Sequence, residues 1–441
     1  MKIDKISVVG LFGTFDHEIV LNSDPPITLV LGRNGLGKTI LLRMLSAIFT
    51  NHLEYLCQVQ FKSFTIYFEL DNKLVISRLP KTFNELKFEF SRYKGQVIST
   101  DSRALKIGQK KYGRFQELLR NSKQLRESYL GAIMDVPEYD LKDKFELVAS
   151  LSKNWLDTSE KNKDNYPKWL KDVMNAYNGH LITTERIIMP YKYNDLDEEQ
   201  NKFKRAINEC SKDILKKVGS AMNEAANLSA ELDRSFPNRI IQAFEVIKEV
   251  KTSLINELVY GLEMLKERQD ILQRTGIQQK SDKDFPLDFH SLNLQTYTIL
   301  SVYVKDSLEK LKPYEDLANK LQLFLEIMNS KLLFKKVQFV QNGGFKVVST
   351  KTNDIIQLQE LSSGEQHLFI LFYQMLFMLE SNSLLLIDEP EISLHVGWQK
   401  HFVEDLMNVL KLNPMTVIMA THSPTLIGPY WNLTSELHYE E

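Results

Sequence analysis

The chain has 441 residues, and Lys+Arg 55 against Asp+Glu 57 leaves a formal net charge of -2. That balance excludes a histone-like or tail-dominated polyelectrolyte, though not a local basic surface, and 43% hydrophobic with 25% charged residues excludes wholesale disorder. Cys57 and Cys210 lie too far apart for a disulfide framework or a zinc cluster, so the composition reads as cytoplasmic. MKIDKISVVG at the start has no apolar run of a secretory leader. The most apolar stretch, Leu368 to Leu379, is shorter than the roughly twenty residues of a membrane span, so it reads as a buried helix and no membrane contact is expected.

In chain order, Ile3 to Val9 and His17 to Leu21 read as strands, with Gly10 and Gly13 in the turn between them. Ile27 to Leu31 is wholly apolar, as in a strand buried on both faces. It runs into Gly32, Arg33, Asn34, Gly35, Leu36, Gly37, Lys38 and Thr39, and then into a predicted helix from Ile40 to Phe49. Residues 59–99 are rich in aromatic and β-branched types and read as antiparallel strands at Val59–Leu70, Leu74–Arg78, Lys87–Phe90 and Gln96–Thr100. From about 114 to 177 the texture is polar and helical, and Leu181 to Met189 is a candidate strand that rejoins the core.

Beyond it, apolar residues at 240, 244, 247, 250, 254, 258, 262 and 265 predict one amphipathic helix. Pro237 is expected to separate it from the helix before, and Pro313 to interrupt or start a later one. These helices are expected to be of moderate length. Strands at Phe334–Val340 and Phe345–Ser349 flank Asn342-Gly343-Gly344, and an α/β segment follows: helix from Ser363 to Glu380, strand Leu384–Ile387, helix near Trp398–Leu410, strand Thr416–Ala420.

Gly32 to Thr39 fits G-x-x-x-x-G-K-T between an apolar strand and a helix. Glycines there let backbone N–H groups turn inward around phosphate oxygens, and the helix start adds its partial positive charge. Lys38 would reach the β- and γ-oxygens, and Thr39 would ligate Mg²⁺. The strand ending in Asp388 and Glu389 supplies a carboxylate for Mg²⁺ and one that can orient or deprotonate water. Leu361-Ser362-Ser363-Gly364-Glu365-Gln366 opens a helix, both as a cap and as an anion site. His422 follows the last apolar strand.

Those four motifs in this order resemble an ABC-type ATPase head. GLFGTFDHEIVL at 10–21, LSSGEQHLFILFYQMLF at 361–377, LIDEPEISLHVGWQ at 386–399 and ATHSPTLIG at 420–428 resemble the stand-alone ATPases of bacterial anti-phage systems: the PtuA subunit of Septu and retron-associated systems and, more loosely, the AriA subunit of PARIS. They belong to a wider clade of RecF, SMC and overcoming-lysogenization ATPases. The resemblance is dense over roughly 1–50 and 330–435 and weaker between, where LKERQDILQRTGI at 265–277 carries it.

It implies an α/β fold: an ABC-type P-loop ATPase head with a β-subdomain and a long, mostly helical insert. The expected parts are an N-terminal head segment at 1–58, a β-rich subdomain at 59–113, a helical segment at 114–180, a core strand at 181–195, the helical insert at 196–332 and the C-terminal head segment at 333–441. It further implies ATP and Mg²⁺ as cofactors, Thr39 and Asp388 on the metal, and Glu389 and His422 as catalytic residues. Ser362 and Gly364 of a second copy would touch the γ-phosphate held by Gly32–Thr39, which calls for a homodimer or higher homo-oligomer. Ser393-Leu394-His395 takes the place of the D-loop.

The family's Mg²⁺-sensing Gln is sought after the Leu181–Thr184 strand, where the chain has Glu185, so slow hydrolysis is expected. A nuclease within the chain is not expected. Its nine histidines (17, 52, 180, 290, 367, 395, 401, 422, 438) form no cluster for HNH chemistry, and relatives of the overcoming-lysogenization type carry a Toprim domain beyond the position of His422. The implied partner is a separate nuclease effector, of HNH or Toprim type. From Lys87 to Arg126, eleven Lys/Arg stand against three Asp/Glu, with Tyr93, Tyr112 and Phe115 interleaved, which suits nucleic acid or an acidic protein as well as a solvated face. A DNA-repair or recombination ATPase acting without a toxic partner is the alternative from a different class.

Overall fold

The computed structural model describes residues 2–79, 85–94, 97–106, 166–182, 199–247, 252–278 and 293–437. It divides into two compact units: residues 1–197, 380–407 and 414–441 form the first, 198–379 and 408–413 the second.

The first unit holds two sheets. One is antiparallel and six-stranded: β1 (Ile3–Leu11), β2 (Phe15–Val20), β4 (Ser63–Phe68), β5 (Asn72–Arg78), β6 (Glu85–Lys94) and β7 (Val97–Lys106), in the order β2-β1-β4-β5-β6-β7. Alternation sets its buried face: Ile6 and Val8 on β1, Phe64, Ile66 and Phe68 on β4, Leu74 and Ile76 on β5, and Phe88 and Phe90 on β6 all point into one core. The β-rich segment expected at 59–113 is therefore continuous with the N-terminal hairpin, because β4 pairs with β1 from Ile3–Phe68 to Val9–Ser63.

The second sheet positions the chemistry. β3 (Ile27–Leu31), β8 (Gly179–Ile182), β12 (Leu384–Asp388), β13 (Thr416–Ala420) and β14 (Thr434–Glu436) lie in the order β14-β3-β13-β12-β8, every neighbouring pair parallel. Strands buried on both faces carry unbroken apolar sequence, and ITLVL, LLLI and TVIMA supply it. In such sheets ligands bind at the carboxyl ends of the strands. β3, β13 and β12 are adjacent, so the segments that follow them, Gly32–Thr39, Thr421–Ser423 and Asp388–Glu391, emerge side by side. Of the strand expected over Leu181–Met189, Leu181 and Ile182 lie in β8, which joins the core against β12, and the rest of the 181–195 segment lies outside the described residues. α1 (Lys38–Phe49) packs on β8, β12 and β13, and two short helices, α2 (Glu54–Gln58) and α3 (Lys168–Met174), complete this unit's first half.

The second unit is built from α4 (Glu199–Val246), α5 (Thr252–Arg274) and α6 (Leu294–Lys331), a small antiparallel sheet of β9 (Lys335–Val340), β10 (Gly344–Ser349) and β11 (Ile355–Ile356), and α7 (Ser363–Tyr373) with a π-helical turn over Gln374–Met378. Phe324 and Phe345 each meet Phe369 and Tyr373 edge-on, with centroids 4.9–6.1 Å apart. The Tyr373 hydroxyl donates to Asp213 at 2.7 Å.

Four expectations for the helices are overturned. The single helix expected over 240–265 is two: residues 240–246 end α4, and α5 begins at Thr252. Pro237 lies inside α4 and ends nothing. In the turn before it the Ser235 hydroxyl reaches Glu231 O at 3.0 Å and Arg239 Nη2 reaches Leu232 O at 2.6 Å, so side-chain donors add to the backbone bonds there. Arg239 also pairs with Asp306, and Lys310 with Asp233 at 2.6 Å, so α4 and α6 run antiparallel and clamp the chain on either side of the proline. Pro313 likewise sits within α6. Nor is the length moderate: the 48 residues of α4 span about 72 Å at the α-helical rise.

The remaining elements are α8 (Val396–Leu412) and α9 (Pro424–Ile427). No helix among the described residues is long and apolar enough to cross a membrane.

Candidate nucleotide site

Between β3 and α1 the chain needs left-handed backbone, and Gly35 (φ +90°) and Gly37 (φ +86°) provide it. At Gly37 a Cβ would also stand 2.7 Å from Leu11 Cδ2, so both torsion and space require glycine. Lys38 opens α1 nearly buried and turns back on its own loop: Nζ donates to Gly32 O at 2.7 Å and Arg33 O at 3.3 Å. The loop is held from β2 by His17, whose Nε2 donates to Leu36 O at 2.8 Å while the ring stacks on Phe15 at 5.7 Å. Burial lowers the pKa of His17, against the opposing influence of Leu36 O and of the Asp16 charge. A lone histidine in a strand gives no sign of this role in sequence.

Thr39 Oγ1 donates to Asp388 Oδ1 at 3.0 Å, joining positions 349 residues apart in sequence. Asp388 is mostly buried; burial raises its pKa and the neighbouring Glu389 adds to that, against the Thr39 hydroxyl, Arg43 and Lys38. A hydroxyl and a carboxylate oxygen are hard donors of the kind Mg²⁺ takes. A carboxylate whose charge burial disfavours is one that a cation would stabilise, so the residues fit that metal.

Glu389 leaves β12 in left-handed backbone (φ +46°), its N–H bound to Ala420 O at 2.9 Å. Its Oε1 lies 3.6 Å from His422 Nδ1. Glu391, in the 3-10 turn Pro390–Ile392, comes closer to the same nitrogen, at 3.3 Å. Ser393, of the expected D-loop, donates to Pro390 O at 3.2 Å, and His395 Nδ1 accepts from Gly397 N at 3.1 Å.

Ser362 and Gly364 belong to the second unit, at the start of α7. Ser362 is an N-cap in a capping box: its Oγ accepts from Glu365 N at 3.4 Å, and its N–H donates to Glu365 Oε2 at 2.8 Å. Lys335 Nζ holds both Glu365 oxygens, at 3.0 and 2.8 Å. Burial alone would raise the Glu365 pKa; the Lys335 and Ser362 donors outweigh it and hold the carboxyl below its ordinary 4.5. A depressed carboxylate stabilises the fold above its unfolded pKa and loses that contribution as pH falls through the folded value. Lys335→Met is thus expected to cost about 1–2 kcal/mol at neutral pH, between exposed and buried pairs. The gap from wild type in thermal unfolding should narrow as the pH falls below the ordinary 4.5 and through the folded value, and a gap independent of pH would refute the pairing.

Glu185 lies outside the described residues, as do Lys110, Lys111, Tyr112, Arg114 and Phe115 of the basic stretch. Within its described part, Lys87 is paired with Glu89 at 2.8 Å. Among the described residues no group of three or more His, Cys, Asp or Glu side chains is arranged to hold a metal.

A glycine loop from a buried parallel strand into a helix, its threonine bonded to the aspartate ending a second strand, defines a P-loop nucleotide-binding protein. The chain matches the AAA_15 family, an AAA ATPase domain, over residues 1–427. It belongs to that family. A search of curated proteins finds no match. Among solved structures it is similar to the Smc head domain with an extended coiled coil, bound to the C-terminal domain of ScpA, from Pyrococcus furiosus. That match has 14% identity and TM-score 0.33, covering 97% of this chain and 91% of that one. The SMC head domain from Thermotoga maritima matches at 10% identity and TM-score 0.35, over 97% and 91% of the two chains.

Proposed function

We propose that the chain is a Mg²⁺-dependent ATPase, working as a homodimer or higher homo-oligomer, that controls a separate nuclease effector in an anti-phage defence system. The observation that supports the ATPase reading best is the Thr39–Asp388 hydrogen bond, which pairs the two protein donors of a nucleotide-bound cation. In this reading Gly32–Thr39 cradles the phosphates, and Lys38 leaves its loop carbonyls to meet the β- and γ-oxygens. Thr39 and Asp388 hold Mg²⁺, which supplies charge neutralisation at the phosphate oxygens. Glu389 takes the proton of the attacking water, and His422 stands beside it. Ser362 and Gly364 of a second copy close on the γ-phosphate, the Ser362 hydroxyl still having a proton to donate while its oxygen caps α7. Glu185 in place of Gln makes turnover slow.

The defence reading rests on the resemblance of the four motif segments to the ATPase subunits of such systems, and it makes nuclease chemistry the partner's task. The test is co-purification of the tagged full chain with its flanking-gene product, followed by plasmid cleavage with and without ATP. A complex whose cleavage responds to ATP supports the regulator. A lone oligomer whose ATP turnover rises with DNA replaces it with the repair or recombination reading.

A further inference from the structure

If the site hydrolyses ATP as proposed above, His422 must present one ring nitrogen to the phosphate, and a buried acid stands beside the other. Glu391 is not part of the proposed phosphate and metal contacts, yet its side chain is only 7% exposed while that of His422 is 46% exposed. A single oxygen, Oε1, accepts the Thr421 hydroxyl at 2.8 Å and the His422 N–H at 2.9 Å, and it lies 3.3 Å from His422 Nδ1. The second oxygen, Oε2, is buried with no hydrogen-bond partner, a cost that a merely space-filling side chain would not carry. The support is two-sided. Gln399 on α8 donates to Glu391 O at 3.2 Å and Leu394 O at 3.0 Å, and its Oε1 accepts from Ser423 Oγ at 2.9 Å. The turn carrying His422 is thus tied on both flanks to the segment after β12.

A neutral imidazole donates through one nitrogen and accepts through the other, and the partner at one nitrogen decides which. A carboxylate oxygen accepts only. Neither carboxylate is hydrogen-bonded to the ring; Glu391 Oε1 is the nearer acceptor, at 3.3 Å from Nδ1 against 3.6 Å for Glu389 Oε1, and it belongs to the more deeply buried acid. We propose that Glu391 is a positioning residue that keeps the proton on His422 Nδ1, so that Nε2 is the nitrogen meeting the phosphate and its attacking water, and Glu389 stays available to that water.

The test is nitrogen NMR of the full chain labelled at histidine, with the His422 signals assigned by loss in His422→Asn, alongside steady-state ATP turnover. Wild type should show a protonated Nδ1. Glu391→Ala should lose that preference and lower kcat by about 10- to 100-fold, as loss of a histidine's orienting partner does, with the KM for ATP little changed. Glu391→Gln keeps an acceptor oxygen and should restore the Nδ1 proton and most of the turnover. A wild-type ring protonated on Nε2 overturns the proposal without any variant, and so does an Ala variant with an unchanged tautomer and kcat. The NMR arm needs no hydrolysis: absence of ATP turnover in wild type would sink the ATPase reading, while the tautomer still decides on Glu391.

Discussion

Glu389→Gln is expected to lower ATP turnover by about 10²–10⁴-fold, the usual worth of a positioned general base, while leaving ATP affinity within about twofold. The backbone at this residue motivates the magnitude. Left-handed torsions cost a non-glycine residue about 1–2 kcal/mol, and Glu389 adopts them at φ +46° directly after a buried strand, with its N–H tied to Ala420 O on the neighbouring strand. A conformation of that cost persists where the surrounding structure demands it, and here it delivers the carboxylate to the side where His422 stands. Glutamine keeps the shape and the hydrogen-bonding capacity but cannot take a proton from water. Single-turnover hydrolysis and calorimetric binding separate the two effects. Wild-type turnover in the variant would move the role to another carboxylate, and Glu391 would be next to test.

Motifs whose constraints are local were legible in the sequence. Gly32 to Thr39 carries its own grammar, because phosphate-cradling backbone requires glycine at fixed offsets between a strand and a helix, and β3 and α1 fall on either side of it. The apolar runs of β12 and β13 announced strands buried on both faces. The cap on α7 was legible for the same reason, since Ser362 and Glu365 are three residues apart.

What escaped depends on partners distant in sequence. Glu391 meets Thr421 across 30 residues and Gln399 meets Ser423 across 24, so neither acid nor amide stands out from the helix and turn around it. Pro237 misled because contacts distant in sequence override its local cost: Asp233 and Arg239 tie α4 to the antiparallel helix α6 on both sides of it. Periodicity misled in the same region: apolar positions 240 and 244 lie on α4 and 254, 258, 262 and 265 on α5, yet they keep one helical spacing. Spacing alone does not register a break between them.

Lys38→Ala is expected to abolish nucleotide binding, with affinity for MgATP falling by about 100-fold or more, since removing one member of a desolvated charge contact costs about 2–5 kcal/mol. Lys38 is nearly buried, and its ammonium sits between Gly32 O and Arg33 O, inside the loop that would surround the phosphates. Alanine cannot span that distance, and arginine, with a broader planar head, is not a conservative replacement in so tight a loop. Thermal unfolding provides the check without any partner protein. Ligand at 100 times its dissociation constant stabilises a folded chain by about 2.7 kcal/mol, so MgATP should raise the wild-type midpoint and leave that of the variant in place. A preserved shift would mean that the loop holds nucleotide through backbone alone, and the phosphate role of Lys38 would fall. Paired with Glu389→Gln, the variant also separates bound from hydrolysed nucleotide as the signal. An effector whose cleavage changes in Lys38→Ala but not in Glu389→Gln responds to occupancy of the site. One that changes in both responds to turnover, and the slow chemistry expected from Glu185 would then set its timing.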